Sequence, residues 1–204
     1  MALTYQGSAS SVTNTVTLPT HAVGDLIVIY NLGETTAPSA GGTVPTWTAI
    51  GTNATPQGMW YAVATATNHT SGTWADAMSL IAVVLRGQAA NPVGGYAFGT
   101  SGGTSSVTAP SITLGDSSGA SQILHFLTAY GGFTARTWSS APSGYTARTS
   151  ITVPGYGFGC RLLTKDTTTS DGTATNSLSG SVTNTYAASL EIKGTKTSAF
   201  FAMF

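Results

Sequence analysis

Seven carboxylates, three histidines, one cysteine and many serines are the side chains through which this 204-residue chain could do chemistry. The acids are Asp25, Glu34, Asp76, Asp116, Asp166, Asp171 and Glu191. Acid catalysis by carboxylates needs a cooperating pair. Most of these acids instead stand beside Gly, Thr or Ser, as in Gly24-Asp25, Gly115-Asp116 and Asp171-Gly172. Such an Asp bonds its own backbone while Gly permits positive φ, so turn duty is the expectation. Calcium is the alternative at an oxygen-rich loop, although no loop has the dense spacing of an EF-hand. His21, His69 and His125 are far apart and lack metal-ligand spacing. His125 falls inside the apolar run Ile123-Leu124-His125-Phe126-Leu127 and reads as a satisfied core histidine. A chain this rich in Ser has the raw material for a Ser-His-Asp triad; Gly-x-Ser-x-Gly occurs at Gly99 to Gly103 and at Gly115 to Gly119, but neither is followed by the helix pattern of a nucleophile elbow. Cys160, in Gly159-Cys160-Arg161-Leu162-Leu163, reads as a small buried hydrophobe. Gly99 to Gly103 lacks the Lys and the following helix of a phosphate loop and reads as linker. No catalytic residue, no metal and no cofactor is expected.

Aromatic side chains offer binding rather than reaction. Trp60 lies within an apolar stretch and reads as core, whereas Trp47 and Trp138 lie near turns, where they could stack on a sugar ring or enter a protein interface. The C-terminal segment Thr195 to Phe204 ends in Phe200-Phe201-Ala202-Met203-Phe204, too apolar for a solvated terminus. It can fold back as an extra strand, or dock into a neighbouring subunit through Phe200, Phe201, Met203 and Phe204, for instance by strand addition.

The composition narrows the partners. Only 7% of residues are charged, seven basic against seven acidic, for a net charge of zero. Phosphate-backbone binding needs clustered Lys and Arg, and here they are scattered, so no nucleic-acid partner is expected. No apolar stretch approaches a membrane span of about 20 residues, and no membrane association is expected. The N-terminus lacks the basic-then-apolar pattern of a signal peptide, which implies synthesis in a cytoplasm. A neutral Ser/Thr-rich surface loses the charge repulsion that keeps small proteins apart, which suits a subunit of an assembly.

The elements that would position these groups are strands. Leu26-Ile27-Val28-Ile29-Tyr30, Met59 to Ala64 and Leu80 to Leu85 are short β-branched and aromatic runs bounded by turn residues. Ala75 to Leu85 has weak helix signals at its ends, but Ile81, Val83 and Val84 favour a strand. The order then repeats. Val16-Thr17-Leu18 matches Ile112-Thr113-Leu114, and the Leu26 run matches Ile123 to Leu127. Pro45-Thr46-Trp47-Thr48-Ala49-Ile50 matches Pro142-Ser143-Gly144-Tyr145-Thr146-Ala147-Arg148. Ser71-Gly72-Thr73 matches Ser170-Asp171-Gly172-Thr173, and Val84-Leu85-Arg86-Gly87 matches Glu191-Ile192-Lys193-Gly194. Halves of roughly residues 10–87 and 105–194, each of four or five strands, would meet at a loop from Gly87 to Ala109. Each half alone would expose an apolar sheet face. Packed together they predict one all-β antiparallel sandwich over residues 1–194, with residues 195–204 as a tail.

The order resembles that of tailed-bacteriophage virion proteins and prophage tail or capsid-associated proteins. The matching residues are Gly24-Asp25, Thr46-Trp47-Thr48, Trp60-Tyr61-Ala62-Val63-Ala64, Leu85-Arg86-Gly87 and Pro142-Ser143-Gly144-Tyr145-Thr146, spread over roughly residues 10 to 194. The resemblance implies a jelly-roll-like sandwich in a virion appendage, decoration protein or tail component, and it carries no catalytic residue with it. The expected function is therefore a non-enzymatic structural component of a phage-like virion. Its expected partners are other copies of itself and neighbouring virion proteins. The alternative is a carbohydrate- or receptor-binding module that contacts a surface glycan.

Overall fold

The computed structural model describes residues 2–132, 136–153, 158–167 and 170–195. It is all-β: two antiparallel five-stranded sheets packed face to face, with no helix among the described residues. The first sheet holds β1 (Thr4–Ser11), β2 (Leu26–Leu32), β3 (Thr48–Thr52), β4 (Gln57–Val63) and β5 (Ser79–Arg86) in the order β1-β5-β2-β4-β3. The second holds β6 (Gln88–Ala109), β7 (Ser121–Tyr130), β8 (Thr146–Val153), β9 (Phe158–Thr167) and β10 (Ala174–Gly194) in the order β6-β10-β7-β9-β8. Adding five to each label of the first sheet produces the second.

The repeat extends to irregularities. In the first sheet a bulge at Ile50 separates the pairs Ala49–Trp60 and Gly51–Met59. In the second, a bulge at Arg148 separates Ala147–Leu163 and Thr149–Leu162. Another bulge lies between Tyr5 and Gly7 of β1, opposite Leu85 and Val84, and its counterpart lies between Val93 and Tyr96 of β6, opposite Ile192 and Leu190. Bulges redirect a strand and are built-in features of a fold. Their recurrence at matching positions marks the halves as two versions of one unit.

The units face each other about a pseudo-twofold axis. Tyr30 of β2 stacks on Phe126 of its counterpart β7, with ring centroids 5.1 Å apart and planes 11° apart. On one side β1 packs on β8 and β5 on β9. On the other, Gln57 of β4 reaches the Gly99 carbonyl of β6. The shared core joins Leu26, Val28, Met59, Ile81, Val83 and Leu85 to Leu124, Cys160, Leu162, Ala188, Leu190 and Ile192.

Both outer faces are covered too, which is why the central strands are continuous apolar runs rather than alternating ones. Ile27, Ile29, Ala82 and Val84 lie beneath Val16, Leu18, Trp47 and Trp74. On the second sheet Leu127, Ala129 and Leu163 pack with Val107, Ala109, Ala174 and Leu178, from the extended parts of β6 and β10. Half-buried Trp138 and Tyr145 complete that layer.

One expectation is overturned. Gly87 to Ala109 is not a connecting loop, because Gln88 to Ala109 forms β6, a strand of 22 residues. Its glycines are turn signals locally but have tertiary reasons here. A Cβ on Gly94 would enter the space of the Glu191 carboxylate, and one on Gly95 would overlap the Thr113 carbonyl oxygen. Gly103, at φ 62°, stands next to Thr104, from which the pairing with β10 shifts register before Ser106. The long partner β10 supplies the hydrogen bonds that make this glycine-rich stretch a strand.

Because the obstacle to Gly95 is backbone, Gly95→Ala is expected to lower stability by about 1–3 kcal/mol. Gly172→Ala, into open space, should leave it nearly unchanged. Urea unfolding of both variants checks this, and equal midpoints would contradict the packing described.

Candidate functional site

The register of the two sheets aligns the halves residue by residue. Ile29 of β2 pairs with Trp60 and Ala82, while His125 of β7 pairs with Leu163 and Ser189. Tyr145, before β8, takes the place of Trp47, before β3. In the first half this layer is apolar and aromatic, with Trp74 4.8 Å from Trp60 and 5.8 Å from Trp47 between ring centroids. In the second half the same layer is polar, and it gathers the residues whose chemistry drew attention in the sequence.

Asp171 is the hub. Its carboxylate accepts hydrogen bonds from Tyr145 Oη, at 2.9 Å to both oxygens, and from Lys165 Nζ at 2.7 Å. Oδ2 lies 2.7 Å from His125 Nε2. On the other side of the imidazole, Nδ1 lies 2.8 Å from Ser189 Oγ. Burial alone would raise the Asp171 carboxyl, but hydrogen bonds from His125, Lys165 and Tyr145 outweigh it and bring it to about 2. Burial and the bond to Asp171 push the Tyr145 hydroxyl up. The backbone of Asp171 also bridges to Ile112 in both directions, at 3.0 and 3.1 Å, which fixes the segment between β6 and β7 over the sheet.

The tertiary fold thus brings together a Ser, a His and an Asp that are remote in sequence. The arrangement is not that of an activated nucleophile. Ser189 is fully buried, and its hydroxyl donates to the Pro110 carbonyl at 2.6 Å. With its proton given to the Pro110 carbonyl, Ser189 has none to hand to the imidazole, as a nucleophilic serine must. His125 is likewise fully buried and Asp171 is 2% exposed. What this geometry can do is hold three layers in register.

Other buried polar groups make similar ties. Glu191, fully buried, accepts from the backbone N–H groups of Gly95, Gly115 and Asp116 at 2.9, 2.6 and 3.1 Å and from Ser121 Oγ at 2.7 Å. Asp25 accepts from Arg86 Nε and Nη2 at 2.6 and 2.9 Å and from the Ala22 N–H at 2.7 Å; the Arg86 bond is the main cause of its lowered carboxyl pKa. Arg161, 7% exposed, donates to the Ser139 carbonyl and to Asn176 Oδ1. His21 and His69, far apart in sequence, lie with ring centroids 5.9 Å apart. Each is held by backbone: His21 Nδ1 by the Pro19 carbonyl and Nε2 by the His69 N–H, His69 Nδ1 by the Thr43 carbonyl and Nε2 by two N–H groups. Among the described residues no group of three or more His, Cys, Asp or Glu is placed to hold a metal ion. Cys160 is buried, and burial pushes its thiol up to about 12, so thiolate chemistry is suppressed at neutral pH.

Trp47 and Trp138 are half-buried, each set against the layer outside its own sheet. Both indole nitrogens are buried, and neither has a hydrogen-bond partner among the described residues. Phe200, Phe201, Met203 and Phe204 lie outside the described residues.

The exposed feature that stands apart is the outer edge of β6. This strand pairs with β10 on one side, and among the described residues no strand pairs with the other. It carries no charged residue along its length. From Tyr96 to Gly102 it pairs in unbroken register with Leu190 to Asn184. Thr100 to Gly103 are exposed, and Tyr96 is 46% exposed. Sequence reasoning missed this edge because Gly and Ser dominate it. It read His125 as a satisfied core histidine without its partners, and it is the strand register that places His125 where the first half has Ile29.

The cluster makes stability pH-dependent with a definite sign. Since the folded-state Asp171 value lies below the ordinary 3.8, its contribution is present above about pH 4 and is lost as pH falls toward 2. Asp171→Asn is expected to lower stability at pH 7 by about 3 kcal/mol, as removal of one partner from a buried ionic cluster does. The difference from the wild type should shrink toward pH 2, and urea midpoints at both pH values check it.

Comparison with known protein families, curated proteins and solved structures finds no match, so what the molecule does is read from its own geometry.

Proposed function

We propose that this chain is a non-enzymatic structural component of a phage-like virion, a decoration, capsid-associated or tail protein that works by self-association and docking. The observation that carries the reading is the uncharged outer edge of β6, with which no strand pairs among the described residues, on a chain of zero net charge. Unpaired strand edges are templates for association, and monomeric proteins normally guard them with charge. The reading is supported by the condition of the groups that could do chemistry: Ser189, His125, Asp171 and Glu191 are buried in ties between layers. It agrees with the resemblance carried by Gly24-Asp25, Thr46-Trp47-Thr48 and Pro142-Ser143-Gly144-Tyr145-Thr146. Phe200, Phe201, Met203 and Phe204 supply a second contact, toward neighbouring virion proteins, since each buried Phe contributes roughly 1.5–3 kcal/mol before ordering costs.

The test is the mass in solution, by light scattering across a concentration series, of the full chain beside a form ending at Gly194. The full chain should be oligomeric, and the shorter form should stay folded with a smaller assembly. A full chain that is monomeric at every concentration would overturn the reading.

A further inference from the structure

We infer that the occupant of the β6 edge is the same edge of a second copy of this chain, paired antiparallel about a twofold axis; this rests on the self-associating role proposed above. The first argument is which edges remain unpaired among the described residues. Each sheet has two. Those of β1 and β8 lie against each other, with Ser10 Oγ 3.1 Å from Thr149 Oγ1 and the Arg148 guanidinium 4.2 Å from the centre of the Tyr5 ring. The edge of β3 is five residues long and is broken by the bulge at Ile50; Tyr96 of β6 meets it at Gly51, and past that contact Thr100 to Gly103 of β6 are exposed. The outer edge of β6 is longer than all of these and regular from Tyr96 to Gly102.

The second argument is charge. In an antiparallel pair about a twofold axis the two surfaces are the same patch, so a charged residue near the axis lies close to its own copy and repels it. A strand that must pair with itself therefore does best without charge. Gln88 to Ala109 contains no Lys, Arg, Asp or Glu, so no cationic or anionic partner strand is matched by it. Tyr96-Ala97-Phe98-Gly99-Thr100-Ser101-Gly102 joins strand-favouring Tyr, Phe and Thr to side chains small enough for close approach.

The third argument comes from the repeat. β1, the counterpart of β6, has eight residues, whereas β6 has 22. The far end of this extension, Val107 and Ala109, covers the outer face of the second sheet, while exposed Ser101 to Gly103 carry the strand edge past the length that β1 offers.

The experiment uses full-length chains carrying Thr100→Lys or Thr100→Glu, at an exposed position on this edge, with Thr100→Ser as control. Circular dichroism and thermal melting establish that each is folded. Each charged variant alone should self-associate at least about tenfold more weakly than the wild type, since facing like charges oppose strand pairing. An equimolar mixture of the Lys and Glu variants should regain the wild-type mass, which a merely damaged surface would not do. If the wild type is oligomeric and both charged variants keep its mass, the β6 edge is not the interface, although self-association stands. A wild type that stays monomeric would sink both this inference and the role on which it rests.

Discussion

Tyr30 lies on Phe126 where two equivalent strands cross, and the arrangement of both sheets follows from that contact. Each half of the chain folds into a five-stranded sheet with one large apolar face, which water would not tolerate uncovered. Because the halves are two versions of one unit, the face each must bury matches the other about a pseudo-twofold axis. The central strand meets its own counterpart, and the flanking strands meet crosswise. The arrangement is that of an isologous dimer joined into one chain. A change in volume at Tyr30 or Phe126 would be felt at the centre of this contact, since close-packed interiors transmit strain.

The inner layer is conserved in character between the halves, and the outer layers are not. Outside the first sheet three tryptophans fill the space around Ile29. Outside the second, His125, Asp171, Lys165, Tyr145 and Ser189 occupy the corresponding place and satisfy one another. A buried ionic cluster is often no more stabilising than well-packed apolar groups of similar volume, so its presence argues for specificity of geometry more than for stability. Asp171 holds β9, the segment before β8 and the segment after β6 together through directional bonds. Trp74 and its neighbours hold the first layer through contact area.

Scarcity of charge runs through the whole molecule. With seven basic and seven acidic residues, the chain commits Asp25, Asp171 and Glu191 to the interior. The exterior is left to Ser, Thr, Gly and Asn, with little electrostatic repulsion between copies. A long uncharged strand edge on such an exterior is a coherent pair of features: the first offers hydrogen-bonding groups, and the second does not oppose their approach.

Much of this was legible in the residues. Short β-branched runs between turn signals specify strands, and their repetition in order specifies two related halves whose apolar faces must meet. The absence of alternation in Leu26–Tyr30 and Leu80–Leu85 already implied burial on both faces. Local pattern could not reveal β6, because Gly and Ser are turn residues until a partner strand supplies their hydrogen bonds, and β10 is distant in sequence. Nor could it reveal the His125 cluster, since Asp171 beside Gly172 has the local signature of a turn. Only register across the sheets places that carboxylate under Lys165, Tyr145 and His125. The sequence by itself determined which segments become strands and that two equivalent sheets pair, because those follow from propensity and from the need to bury apolar surface. Tertiary structure alone decided which polar groups meet and which edge stays open, because hydrogen bonding between remote residues depends on their positions in space and leaves no periodic trace along the chain.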